Sequence, residues 1–94
     1  MAHMLVRAKF ESYDQFKSVF DARIDTRKAH GSRGAHIFRS AGDPNEVVVL
    51  LEWDDLEKAR EFSQSPVLRE GMTEAGLVDR PDVYFLDEAG RTPA

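Results

Sequence analysis

The stretch Asp43-Pro-Asn-Glu-Val-Val-Val-Leu-Leu-Glu-Trp-Asp-Asp-Leu-Glu57 decides the fold, because a turn, a strand and the start of a helix follow one another within it. Pro44 sets φ for the second position of a turn, and Asp43 can accept a hydrogen bond from the backbone ahead of it. The run from Val47 to Leu51 is continuously β-branched or aliphatic, which is typical of a strand covered on both faces. Trp53 closes this central strand.

A helix is predicted directly after Trp53. Asp54 and Glu57 have the spacing of an N-cap residue and its partner at the third helical position. Ser65-Pro66 then restarts the helix, because serine suits an N-cap and proline suits the first helical position.

The rest of the chain supplies three further strands and one more helix. A helix capped by Ser12 is predicted to run to about Ala29 and to end before Gly31. The other predicted strands are the first at Met4–Phe10, the second at Ala35–Arg39 and the fourth at Asp82–Asp87, with the second strand pairing with the central strand as an antiparallel hairpin. The order β-α-β-β-α-β is typical of a ferredoxin-like α+β sandwich, in which one antiparallel sheet carries both helices on one face.

The length of 94 residues indicates one domain. Residues 1–3 are interpreted as derived from an expression vector, residues 4–88 as the ferredoxin-like domain, and residues 89–94 as a flexible tail.

Composition excludes several classes of function. A net charge of −4 argues against a nucleic-acid-binding protein, which needs a basic face. The chain has no cysteine, so neither a disulfide nor a thiolate site is available. The two histidines after residue 4 lie on different predicted elements, so no metal site is expected, and no cofactor is expected either. With no long apolar run and no signal peptide, we expect a cytoplasmic protein that does not enter a membrane.

The central strand also predicts self-association. Two helices can cover one face of the sheet, yet the strand is apolar on both sides. An uncovered apolar sheet face is an association surface, and a second copy of the same chain is the simplest cover. We therefore expect a homodimer formed through the sheet faces.

The run Glu52-Trp53-Asp54-Asp55, followed by Ala59 and Ser65-Pro66, resembles the central segment of the antibiotic biosynthesis monooxygenase family. The resemblance implies a dimeric α/β barrel, in which two ferredoxin-like sheets pack face to face. It also implies cofactor-independent oxygenation or cyclisation of an aromatic or polyketide-like molecule. Only the tryptophan of the family's site carries over, to Trp53.

Four positions depart from the family pattern. Phe62 and Val67 stand where many members carry histidines, so the haem chemistry of some relatives is not expected. Val49 and Leu51 occupy the strand face on which quinol- and anthrone-oxidising members have an asparagine. These departures favour a second hypothesis, a non-catalytic small-molecule binding or assembly module on the same scaffold.

The candidate site residues follow from chemistry and position. His36 is the predicted general base, and Tyr84 is predicted to donate to a ligand carbonyl, although both can also be structural strand residues. The predicted substrate-binding residues are Trp53, Arg23, Phe20, Phe62 and Met72. Arg23 and Arg27 both fall within the apolar arc of the first helix. Either their stems cover the edge of the core, or their guanidinium groups reach an anionic ligand or a partner subunit.

Overall fold

The computed structural model describes residues 2–94, which form a four-stranded antiparallel sheet with four helices. The elements are β1 (Ala2–Lys9), α1 (Tyr13–Ala22), α2 (Ile24–Ala29), β2 (Ser32–Arg39), β3 (Glu46–Trp53), α3 (Leu56–Ser63), α4 (Pro66–Glu74) and β4 (Asp82–Asp87). The strands lie in the order β2-β3-β1-β4. This order and the antiparallel pairing confirm the predicted ferredoxin-like α+β fold.

The helices cover one face of the sheet, which we call the inner face. Buried side chains alternate with half-buried ones along both central strands, as a strand with one covered face requires. The core joins inner-face residues to helix residues, and it comprises Met4, Val6, Val47, Val49, Leu51, Trp53, Phe16, Ala59, Phe62 and Ala75 among others.

The opposite side, which we call the outer face, carries apolar side chains that no helix covers. One row runs across all four strands, since His36 pairs with Leu50, Leu50 with Leu5, and Leu5 with Tyr84. Phe38 and Tyr84 are 54% and 56% exposed on this face. The prediction that both sides of the central strand are apolar is therefore correct. In a single chain, the second side has no cover.

Two local predictions were wrong. Asp55, and not Asp54, is the N-cap of α3, and its Oδ1 accepts a hydrogen bond from the Lys58 backbone N–H at 2.8 Å. Strand β3 continues through Trp53, so the chain needs one more extended residue before the helix can begin. Asp54 instead pairs with Arg33 and Lys58.

The first helix is also not continuous. It breaks at Arg23, whose φ of −103° and ψ of 17° lie outside the helical range. The Arg23 N–H donates to the Phe20 carbonyl at 3.3 Å, which closes a tighter turn before α2 starts at Ile24. The apolar spacing continues across this break, so periodicity alone does not reveal it.

Candidate binding cavity between the sheet and the helices

A cavity of about 90 Å³ lies between the inner face and the helices. Its walls are almost entirely apolar, and they come from β1, β3 and all four helices. Representative lining residues are Val6, Val49, Leu51, Phe16, Leu68 and Met72. The polar side chains that reach it are those of Arg23, Thr26 and Arg27. Such a space can bind an apolar molecule and orient it through a small number of polar groups.

Arg27 lies against the wall of this cavity. The centre of its guanidinium group is 3.6 Å from the centroid of the Phe20 ring, and Nη1 donates to the Phe20 carbonyl at 2.6 Å. Burial lowers the pKa of Arg27 from its usual value, and the Asp21 carboxylate opposes this effect only at longer range. Asp21 itself pairs with Lys17 at 2.5 Å.

Arg23 spans from the break between α1 and α2 to the facing helix α4. Its Nη2 is 3.2 Å from Glu74 Oε2, and its Nη1 donates to the Val67 carbonyl at 3.4 Å. Its stem passes Gly71, where a Cβ atom would lie 3.4 Å from the Arg23 Cδ. Arg23 therefore ties the two helices together beside the cavity.

The predicted substrate-binding residues divide into two groups. Phe20, Arg23, Phe62 and Met72 line the cavity, so the structure brings four of them together. Trp53 is fully buried behind Phe62, with 5.1 Å between their ring centroids, and it is not part of the cavity wall. Within residues 2–94 its indole Nε1 has no hydrogen-bond partner. The roles of all five in binding a substrate remain predictions.

The predicted catalytic residues lie elsewhere. His36 and Tyr84 project from the outer face, on the opposite side of the sheet from the cavity. They stand at the two ends of one row, three strand spacings or about 14 Å apart. His36 stacks on Phe38, with ring centroids 6.5 Å apart and planes 12° apart. Their catalytic roles remain predictions, and such roles would need a substrate on the outer face.

The four departures from the family pattern all lie in the cavity wall. Val49 and Leu51 form part of its floor, while Phe62 and Val67 come from the helices above it. The positions that the resemblance marked therefore lie together, and at each of them this chain has an apolar side chain.

Sequence reasoning did not select Thr26 as a site residue. It singled out Arg27 together with Arg23, as an arginine that either covers the edge of the core or reaches an anionic ligand or a partner subunit, but it did not name Arg27 among the substrate-binding residues. Thr26 gave no such signal, since its place in the wall depends on the break at Arg23.

Residues 2–94 contain neither a cluster of potential metal ligands nor a long apolar helix. No group of three or more histidine, cysteine, aspartate or glutamate side chains in residues 2–94 is arranged to hold a metal ion. None of the helices described here is long and apolar enough to cross a membrane.

The family model for antibiotic biosynthesis monooxygenases matches residues 1–74, so the chain belongs to this family. Among curated proteins, none matches the sequence significantly.

Solved structures share the fold at low sequence identity. A proposed antibiotic biosynthesis monooxygenase from Bordetella bronchiseptica superimposes with a TM-score of 0.76 at 15% identity, over 94% of this chain and 96% of that one. SnoaB, a cofactor-independent oxygenase from Streptomyces nogalater, superimposes with a TM-score of 0.72 at 19% identity, over 99% of this chain and 97% of that one. A conserved protein from Methanosarcina mazei superimposes with a TM-score of 0.69 at 13% identity, over 90% of this chain and 89% of that one. At these identities the likeness establishes the fold, and the family match supports a search for oxygenase chemistry.

Proposed function

We propose that this protein is a cofactor-independent oxygenase that acts on a flat aromatic molecule, such as an anthrone or a hydroquinone, in the cavity between sheet and helices. The observation that carries the proposal is an apolar cavity whose lining residues include two arginines. Apolar walls favour an aromatic ring system through burial, and a nearby cation favours the enolate or phenolate form of such a substrate.

The proposed reaction needs no reductant other than the substrate itself. An anthrone carbon that has lost a proton can pass electrons to dissolved oxygen and form a carbon–oxygen bond. The resulting hydroperoxide takes up a proton and then loses water, leaving a carbonyl group. The balance is one CH₂ group and one O₂ giving one C=O group and one water. None of the lining side chains in residues 2–94 is a carboxylate or a histidine, so the proton would leave to solvent.

Side chains around the cavity have to move before a ligand can enter. Ligand cavities usually measure about 300–1,000 Å³, whereas this one holds about 90 Å³. A ring system of two or three rings therefore has to displace side chains, and Met72 and Leu68 on α4 are only partly buried. Helix α4 is held to the α1–α2 break by the exposed pair of Arg23 and Glu74, which is a weak kind of contact.

We also infer that two chains pair through their outer faces. Phe38 and Tyr84 are each more than half exposed, and Leu5, Val48 and Leu50 lie on the same face beside them, so these side chains form one apolar patch. A second copy of this face would cover them and complete the dimeric barrel that the resemblance implies.

A non-catalytic binding module is the second candidate. The observation that favours it is the apolar character of the cavity wall. The resemblance implies histidines at Phe62 and Val67, and an asparagine on the strand face that Val49 and Leu51 occupy. A protein of this kind would hold the same ligand without consuming oxygen.

Oxygen consumption separates the two candidates. With an anthrone or a hydroquinone in air-saturated buffer, we expect protein-dependent oxygen uptake that is abolished by Met72→Trp, which fills the cavity. The matched control is Thr73→Trp, because Thr73 is an exposed neighbour on the same helix and should leave uptake unchanged. Saturable binding without uptake would favour the binding module, and no binding at all would contradict both candidates.

A further inference from the structure

Two arginines line the same cavity, but their charges are used differently. The Arg23 guanidinium is paired with the Glu74 carboxylate at 3.2 Å and also donates to a backbone carbonyl of α4. Arg27 forms no ion pair within residues 2–94, and the nearby Asp21 carboxylate is already engaged by Lys17. Arg27 is therefore the cavity cation whose charge is not neutralised by a protein group.

Arg27 is also held ready to donate. A guanidinium group has five N–H donors, and the Phe20 carbonyl accepts from one of the Arg27 nitrogens at 2.6 Å. The guanidinium carbon lies over the Phe20 ring at 3.6 Å from its centroid, and this contact restrains the group. A restrained guanidinium group with unused donors suits a carboxylate or a phenolate oxygen, and the restraint reduces the entropy lost on binding.

The surroundings of Arg27 make an anionic partner favourable. The group is half-buried, and burial of a cation without a counter-ion is costly unless hydrogen bonds or an opposite charge compensate. The adjacent Thr26 also belongs to the lining, and no aspartate or glutamate of residues 2–94 does. An anion bound there would therefore lie near a cation without meeting a competing carboxylate from these residues.

We propose that Arg27 is the anion anchor of the cavity, and that the ligand is a flat aromatic molecule carrying one ionised oxygen, either a carboxylate or a phenolate. This inference rests on the proposed function for the existence of the ligand and adds its charge and its point of attachment. Arg23 has a different role, since it joins α4 to the α1–α2 break and leaves little of its charge for a ligand.

The alternative is that Arg27 only covers core edge. Its stem would then shield Phe20, with the guanidinium group satisfied by the ring and one carbonyl. This alternative predicts that the charge of the ligand makes no difference to binding.

The test uses one charged probe and one neutral probe of the same shape, 2-naphthoate and methyl 2-naphthoate, measured by isothermal titration calorimetry on the full chain. We expect the wild-type protein to bind the naphthoate roughly tenfold more tightly than the ester, the range expected for one hydrogen-bonded charge contact. Arg27→Gln should remove this preference while leaving the affinity for the ester within about twofold. The matched control, Arg23→Gln, should retain the preference.

Further outcomes keep the inference open to refutation. Arg27→Lys keeps the charge, so part of the preference should survive in it even if the glutamine variant folds poorly. Equal binding of the two probes by the wild type would overturn the anchor and leave the apolar cavity standing. A preference that survives Arg27→Gln but disappears in Arg23→Gln would assign the role to Arg23. Failure of both probes to bind would overturn the anchor together with the proposed function.

Discussion

The two faces of one sheet differ in how completely the chain covers them. On the inner face, Val47, Val49 and Leu51 are 1%, 5% and 3% exposed, whereas on the outer face Phe38 and Tyr84 are more than half exposed. Strand β3 contributes alternate residues to both faces, so a single apolar run supplies a finished core and an unfinished surface. The difference shows that this sequence encodes more apolar sheet than its own helices can cover.

The borders of the outer face support this interpretation. Arg7 lies on that face and bonds to the Asp82 carboxylate at 2.7 Å and to Glu46 at 3.0 Å. These paired charges lie along one side of the apolar row that includes Leu5 and Leu50. Apolar side chains flanked by polar ones are the usual arrangement of a protein interface.

The substitution with the largest expected effect on stability is on the inner face. Trp53→Ala should lower the free energy of unfolding by about 3–5 kcal/mol, because it leaves a large hole in a fully covered core. Urea denaturation followed by far-ultraviolet circular dichroism measures the loss. Trp53→Phe is the control and should cost less, since the tryptophan Nε1 makes no protein hydrogen bond that phenylalanine would lose. A loss below about 1 kcal/mol in Trp53→Ala would show that the inner face does not depend on this ring.

The second largest expected effect is on dimerisation, through a substitution on the outer face. Phe38→Asp should convert the expected dimer to a monomer at micromolar concentration, at a cost to association of about 2 kcal/mol or more, because it places a charge at the centre of an apolar contact. Light scattering measures the mass.

The control for this variant is Ile24→Asp. Ile24 is 48% exposed, comparable with Phe38 at 54%, but lies on a helix away from the outer face. Its replacement should leave the mass unchanged. A wild-type protein that is monomeric under these conditions would contradict the account of the outer face.

A smaller effect concerns the cavity that interrupts the inner core. Gly71→Ala should raise the free energy of unfolding by about 0.5–1 kcal/mol, because alanine is the better residue inside a helix. The added methyl group meets the Arg23 Cδ at 3.4 Å, an ordinary contact, and it takes space at the cavity wall. Thermal denaturation and naphthoate titration together should show a more stable protein that binds more weakly. Tighter binding would indicate that Gly71 is not part of the binding wall.

The smallest expected effect concerns Asp54, which follows the end of β3 at the edge of the sheet. A side-chain hydrogen bond from Arg33, with a second from Lys58, lowers the pKa of Asp54 below its ordinary value. The folded state therefore favours the ionised carboxylate. Its stabilising contribution is complete above the unfolded pKa of about 3.9 and is lost as the pH falls through the lower folded pKa.

Melting temperatures of wild type and Asp54→Asn measure this contribution. The wild type should be slightly more stable at neutral pH, and the difference should disappear in strong acid. Added salt should also reduce the difference at neutral pH, since the pair is exposed. A difference that grows as the pH falls would contradict the assignment.

Sequence patterns predicted the fold well because turns, caps and apolar runs are local. Ser12 and Ser65 cap the helices that were predicted for them, and β4 has its predicted bounds. The family resemblance also led to the cavity, through positions that turned out to line it.

The site itself was harder to predict, for a physical reason. The alternation of residues along a strand predicts which side chains share a face. When both faces of the sheet are apolar, it does not predict which face the helices cover. His36 and Tyr84 were therefore predicted to share a site with the cavity residues, although they lie on the opposite face of the sheet. The break at Arg23 accompanies contacts of its side chain with α4, and no local sequence pattern contains such contacts.

The central claim is that a small molecule binds against the inner face, and alternate residues of β3 can test it directly. The measurement is a two-dimensional NMR spectrum of ¹³C-labelled valine and leucine methyl groups during titration with 2-naphthoate. The account predicts saturable shifts at Val47, Val49 and Leu51, which face the cavity, while Val48 and Leu50 on the outer face stay in place. Shifts at Val48 and Leu50 without shifts at the inner residues would contradict it, and would move the ligand to the side of His36 and Tyr84.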